Sequence, residues 1–339
     1  MSGDQRVQRR LYFYEAVNEA LREIMEHDRR TVLLGEDIGR MGGAFWVTKG
    51  LLDVFGKERV IDTPISEAGY IGMSIGMAIG GLRPIVEIQL VDVSLVAMDQ
   101  IANHIGKLKY MSGGQISLPI VIRAPIGGYY GDAAQQSQVL YATFAHFPGL
   151  KVVVPSDPYD AKGLMIQAAQ QDSPVVFLEH KQLYGVPFMQ YGTKGPVPEE
   201  MYTVPIGSAK VAREGSDVTV VTVGYGVHLA LEAAEEAAAM GISVEVLDLR
   251  TLKPLDRGAL LASVRKTGKV IVVDEDYGSY GLSGEIAAVI SEDETKVGSR
   301  LFARITNPDL PVPFSESLEE SILPSKAKIL EAIKRWTRN

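Results

Sequence analysis

The sequence contains no cysteine, which excludes disulfides, cysteine nucleophiles and thiolate metal sites at once. Nor does it contain an apolar run long enough for a bilayer. The most apolar helical stretch, Ile71 to Leu82, falls far short of the ~20 residues that a membrane span requires. Blocks of like charge are missing as well. The 42 acidic and 34 basic residues, net charge -8, are interspersed along the chain, which argues against nucleic acid and anionic membrane as partners. The opening MSGDQRVQRR lacks the apolar core of a secretory signal, so a cytoplasmic location is expected.

What is present reads as α/β architecture. The 339 residues, 46% hydrophobic, suit two domains with real cores. Strand-like runs (TVLLGE, RPIVEIQ, LPIVIRAP, LKVVVPS and PVVFLEH, then VTVVTVG, SVEVLDL and KVIVVDED) alternate with helical patterns, the rhythm of parallel sheets with helical crossovers. Val-rich runs such as Val218 to Val223 suit strands buried on both faces. Asp157-Pro158 marks a helix start, and the Ala/Glu-rich stretch from Val227 to Met240 stops at Gly241, a helix with a glycine end. Between Tyr184 and Pro205 the period fails and Pro and Gly cluster, which reads as an extended interdomain strap. The expected division is residues 1–185, a linker 186–205, and 206–339.

The stretch RVIDTPISEAGYIGMSIGMAIGGLRPIVEIQ carries the chemistry. A strand, Arg59 to Asp62, leads through Thr63-Pro64 to Glu67 at the mouth of a helix. Gly72, Gly76 and Gly80 fall on one face of that helix. Each helical glycine costs ~1 kcal/mol against alanine, so another backbone should come close. A tight crossing within one domain and a contact between subunits account for this equally well. Glu67 by itself reads first as an acidic residue at the positive end of a helix.

Glu67, Gly72, Met73, Gly76 and Met77 match, position for position, a pattern shared by thiamine diphosphate enzymes. The surrounding LLGEDIG, DTPISEAG, GLRPIVE, KYMSGGQ, LPIVIRAP, AAQQSQ, PGLKVVVPSDPYDAKGL and LYGVPF extend the likeness. From about residue 10 onward the chain resembles the beta subunits of the decarboxylating component of 2-oxo acid dehydrogenases: pyruvate, branched-chain and acetoin types. The resemblance implies a thiamine-diphosphate-binding-type parallel sheet flanked by helices, a transketolase C-terminal-like second domain, and thiamine diphosphate with magnesium as cofactors. It implies that Glu67 hydrogen-bonds a ring nitrogen of the cofactor's aminopyrimidine. A carboxyl there favours the imino tautomer, which takes the proton from the thiazolium carbon. Glu36, Ile65 and Gln89 would line the same pocket, at the carboxyl ends of strands where ligands of parallel sheets collect.

The family's Gly-Asp-Gly cradle for diphosphate and metal has no full counterpart here. Gly131-Asp132-Ala133 lacks the second glycine and the downstream asparagine, and reads as a loop. The resemblance therefore implies an alpha subunit that supplies the diphosphate half and holds the magnesium, in an assembly of two alpha and two beta chains. Gln136 stands where most relatives carry a histidine credited with lipoyl reduction, and glutamine cannot exchange a proton near neutral pH. Val93 replaces an aromatic residue of many relatives, while His146 also recurs among them. Some relatives bind potassium through main-chain oxygens at the positions of Ile120, Ala168, Ala169, Gln171 and Ser173.

In the second half, Gly224-Tyr225-Gly226 lacks the third glycine of a dinucleotide fingerprint and reads as a strand-to-helix turn. Asp274, Glu275 and Asp276 read as a solvated acidic face, and in relatives this domain docks the dihydrolipoyl acyltransferase core. The expected activity is decarboxylation of a small-molecule 2-oxo acid, pyruvate by default, with Glu67 and Gln136 as catalytic candidates and acyl transfer to lipoyl. An acetoin dehydrogenase beta subunit, a split transketolase half and a non-catalytic scaffold subunit are the alternatives. With five histidines in all, the catalytic set of a transketolase is not located.

Overall fold

The computed structural model describes residues 9–189, 191–294 and 301–337. The residues 1–8 that open the chain, on which the expected location was read, lie outside this set. Within it the chain forms two compact units, residues 9–125, 147–150 and 157–206, and residues 126–146, 151–156 and 207–337.

The first unit contains β1 (Arg10–Tyr12), α1 (Phe13–His27), β2 (Thr31–Gly35), α2 (Leu51–Phe55), β3 (Val60–Asp62), α3 (Glu67–Ile79), β4 (Arg83–Glu87), α4 (Leu108–Met111), β5 (Val121–Ile126), α6 (Pro158–Ala169), β7 (Val175–His180) and β8 (Lys194–Pro196). Five strands run in the order β7-β5-β4-β2-β3. The runs of β2, β5 and β7 are buried at every residue, on both faces. Phe13, Ala16, Val17, Ala20, Leu21 and Ile24 recur at helical spacing on the buried face of α1, which packs against α6. Each Leu or Ile buried in this way stabilises by ~1.5–3 kcal/mol. Asp157 caps α6, accepting from the Asp160 amide at 2.8 Å ahead of Pro158.

The strap read between residues 186 and 205 packs within this first unit. β8 pairs antiparallel with β1, Tyr12 opposite Lys194, and Val186, Val197 and Val204 are buried. The buried Lys162 ammonium anchors it, donating to the carbonyls of Pro198 and Glu200 at 3.2 Å while pairing with Glu19 at 2.7 Å and Glu23 at 2.8 Å.

The second unit contains α5 (Tyr141–His146), β6 (Lys151–Val153), β9 (Lys210–Arg213), β10 (Val218–Thr222), α7 (Tyr225–Ala238), β11 (Val244–Asp248), β12 (Thr251–Lys253), α8 (Arg257–Thr267), β13 (Lys269–Tyr277), α9 (Leu282–Ser291), β14 (Leu301–Asn307), α10 (Glu316–Ile322) and α11 (Lys326–Thr337). Its sheet order is β14-β13-β10-β11-β9, parallel except for β9. Gly224, with φ 58°, makes the strand-to-helix turn ahead of α7.

Asp274 and Asp276 do not form a solvated face. β13 continues to Tyr277, so both are buried in the strand. Asp274 accepts from the Tyr141 hydroxyl, the Asp276 amide at 3.0 Å and the Ser283 amide at 3.1 Å. Burial, with the charge of Asp274 adding, pushes the Asp276 carboxyl up to about 7.

Candidate active site

Strand register assembles the site of the first unit. Gly35 on β2 lies level with Asp62 on β3 and Glu87 on β4, so three parallel neighbours end at the same height. Glu36 follows directly on β2, Ile65 lies three residues beyond β3, and Gln89 two beyond β4. Glu67 is the first residue of α3, which leaves the sheet after β3. The four residues expected in the aminopyrimidine pocket therefore come from the carboxyl ends of adjacent strands.

Their environments differ. Glu36 and Glu67 are both buried, whereas Ile65 is 82% exposed; Gln89 is half-buried. Burial raises the Glu36 carboxyl above the usual range, and the nearby charge of Glu67 raises it further. Tyr70, one helical turn beyond Glu67 and facing the same carboxylates, is fully buried. Burial first, then the charges of Glu36 and Glu67, push its hydroxyl far above the ordinary phenol range. The hydroxyl stands near Glu36 but closes no hydrogen bond of normal geometry. Tyr70 Oη, Glu36 Oε1 and Thr63 Oγ1 are all buried without a hydrogen bond of normal geometry.

Buried polar atoms are nearly always satisfied, so the Glu36 and Tyr70 atoms near Glu67, with Thr63 on the turn that leads into α3, fit a polar ligand. Two carboxyls, a phenol and a hydroxyl offer donors and acceptors suited to a heteroaromatic ring carrying nitrogen and an amino group. Tyr70 and Thr63 were not among the sequence candidates, although helical spacing from Glu67 points to Tyr70.

Behind the strand ends lies a buried ion network. Arg123 on β5 donates to both oxygens of Glu179 on β7, at 2.8 and 2.6 Å, and to Glu87 on β4. Burial pushes Glu87 up to about 7, with Glu179 adding and Arg123 opposing. The network ties β4, β5 and β7 together, and with them the strand end that carries Gln89.

The remaining candidates are scattered. Gln136 is exposed, on the segment between β5 and α5 in the second unit. Gly131 and Asp132 lie on that same segment. His146 ends α5, beside a cavity of about 880 Å³ lined also by Lys253, Arg257 and Tyr280. Val93 is half-buried. Among the potassium candidates, the carbonyls of Ala169 and Gln171 accept from the Arg83 guanidinium at 2.8 and 2.6 Å, and Arg83 also pairs with Asp172. The Ala168 carbonyl accepts from Gln171 and that of Ile120 from Val175. A fixed side-chain cation thus holds two of the five oxygens. Among the described residues, no cluster of His, Asp or Glu could hold a metal.

The glycine face of α3 is open within the chain. A Cβ at Gly76 would meet nothing within 4 Å, and one at Gly72 only the Gln100 side chain at 3.6 Å. Met73 and Ile79 on this helix are exposed too. Among the described residues no backbone comes within 4 Å of a Cβ at Gly76, so the tight crossing within one domain is not what the structure shows there.

Residues 10–187 match the transketolase pyrimidine-binding domain family, and residues 207–329 the transketolase C-terminal domain family. Over 323 residues the chain is 44% identical to the 2-oxoisovalerate dehydrogenase subunit beta of Bacillus subtilis (strain 168), covering 95% of this chain and 97% of that one. It is 43% identical to the Oryza sativa subsp. japonica pyruvate dehydrogenase E1 component subunit beta-2, mitochondrial, covering 95% and 85%. The chain belongs to the family of E1 beta subunits of 2-oxo acid dehydrogenases. It is also 43% identical to the acetoin:2,6-dichlorophenolindophenol oxidoreductase subunit beta of Cupriavidus necator, covering 96% and 97%. Among solved structures, a split-gene transketolase described as an inactive beta4 tetramer matches with TM-score 0.78 at 25% identity, covering 96% and 98%. Membership implies thiamine diphosphate dependence and an alpha subunit as partner. No helix among the described residues is long and apolar enough to cross a membrane.

Proposed function

We propose that this beta subunit works with an alpha subunit, thiamine diphosphate and magnesium to decarboxylate a 2-oxo acid and pass the acyl unit to a lipoyl group. The observation that carries the reading is the buried Glu36–Glu67 pair with the unpartnered Tyr70 hydroxyl, at strand ends of a chain 44% identical to a 2-oxo acid dehydrogenase beta subunit. When bound, the cofactor supplies the carbanion chemistry that no side chain provides. Glu67 holds and moves the proton at a ring nitrogen. Glu36, buried beside it, would offer a second carboxyl to the polar edge of the same ring. Gln89 and Ile65 would orient the ring, and Ile65, 82% exposed in this chain, would be covered by cofactor and alpha subunit.

The alpha subunit provides the diphosphate and magnesium cradle and covers the open glycine face of α3, in an assembly of two alpha and two beta chains. Gln136 takes part in the acceptor step by hydrogen bonding, since it cannot shuttle a proton. The acyltransferase core is the partner that receives the product, and pyruvate is the substrate we expect first. No step of this reading uses potassium.

Acetoin cleavage is a second reading, favoured by the 43% identity to acetoin oxidoreductase beta subunits of two bacteria. The test is a panel of 2-oxo acids and acetoin given to the co-expressed alpha–beta enzyme, with dye and with lipoyl domain as acceptors. Glu67→Gln should assemble normally and lose nearly all decarboxylation. A fully active Glu67→Gln enzyme sinks the mechanism.

A further inference from the structure

We propose that Glu319 is a positioning residue for the acyl-acceptor step, its buried carboxylate holding the backbone of the segment that carries Gln136. The observations lie within the second unit. Between β5 and α5 the backbone turns left-handed at Tyr129, Ala133 and Leu140, with φ 63°, 62° and 47°, as well as at Gly127 and Gly131. Residues with side chains seldom adopt this conformation, and they keep it only where the surroundings hold them.

Glu319 on α10 is 1% exposed. Its Oε1 accepts from the Tyr129 amide at 2.9 Å and its Oε2 from the Gly131 amide at 3.1 Å. Glu275 accepts from the Gly128 amide at 2.6 Å, and the Tyr129 hydroxyl donates to the Pro324 carbonyl at 2.6 Å. A Cβ on Gly128 would stand 2.8 Å from Leu323 Cδ1 and 3.0 Å from Glu319 Oε1, so the backbone is pressed onto the end of α10. Two carboxylates therefore collect three amides from four consecutive residues. Charge-assisted bonds of this kind are both stronger and more directional than neutral ones. They fix the trace of the segment five residues ahead of Gln136, whose own amide donates to Ala133.

The inference rests on the function proposed above, in which Gln136 serves acyl transfer to lipoyl. Glu319→Gln keeps the size of the side chain but sets an NH2 group against a backbone N–H. In the co-expressed enzyme, hydrogen exchange at the Tyr129 and Gly131 amides should speed up about tenfold or more. The KM for lipoyl domain should rise by roughly tenfold while dye-linked kcat stays within about twofold. Glu319→Asp keeps the charge at shorter reach, should fall between, and serves if the glutamine variant does not assemble. Unchanged exchange overturns the clamp. Faster exchange with an unaltered ratio of lipoyl-linked to dye-linked activity overturns its role in the acceptor step. A wild-type enzyme that acylates no lipoyl domain defeats the functional reading instead, and the exchange measurement still decides the clamp.

Discussion

Tyr70→Phe should change stability and cofactor affinity in opposite directions. The ring is 2% exposed, and its hydroxyl, though near Glu36, closes no hydrogen bond of normal geometry in the protein. Burying an unpaired hydroxyl costs ~1–3 kcal/mol, whereas replacing it by a hydrogen leaves the packed ring in place. The surrounding negative charge of Glu36 and Glu67 gives the hydroxyl a role only as donor. Without cofactor, the variant should therefore gain about 1 kcal/mol, seen as a rise of ~2 °C in Tm. With cofactor, it should lose one hydrogen bond, ~0.5–1.5 kcal/mol, and bind thiamine diphosphate roughly 2- to 13-fold more weakly. Scanning calorimetry without cofactor and titration calorimetry with it, both on the alpha–beta enzyme, read the two effects. A variant that is less stable without cofactor, or that binds it as tightly as wild type, would refute the argument that the orphaned atoms face the ring.

Three further outcomes follow from buried charge and the open helix face. Arg123→Met strands Glu87 and Glu179 without a counter-charge and should cost ~3–5 kcal/mol, checked by urea unfolding. Glu87, already raised to about 7 by burial, then favours protonation more strongly, so the loss should be larger at pH 8 than at pH 6; a uniform loss counts against the network. Asp276 is raised to about 7, so its contribution is fully present below about pH 4 and fades as pH rises through 7, with a ceiling on the order of 4 kcal/mol. In a thermal scan from pH 5 to 8, Asp276→Asn should flatten that decline, and an unchanged slope would show that another group titrates. Gly76→Leu should leave the isolated chain as stable or raise it by ~1 kcal/mol while blocking co-purification with the alpha subunit. Destabilisation of the chain alone would show that the face is packed internally.

Sequence alone determined the α/β class, the strand runs and the position of Glu67, because hydrophobic period, capping residues and glycine spacing are local properties of the chain. Asp157-Pro158 and the runs in β2 and β10 show this, since each is written within a few neighbouring residues. Glu36, Ile65 and Gln89 were legible only through resemblance; the register of β3, β2 and β4 supplied the physical reason that they share one end of the sheet. Tertiary structure decided what depends on partners far apart in the chain. It paired β8 with β1 through residues 194 and 12, tied Arg123 to Glu179, and closed Glu319 on amides 188 and more residues away. It also buried Asp274 and Asp276, whose acidity looked solvated from their neighbours. Such contacts form when elements pack, and the charge or hydroxyl of a single residue carries no record of which distant backbone it will meet.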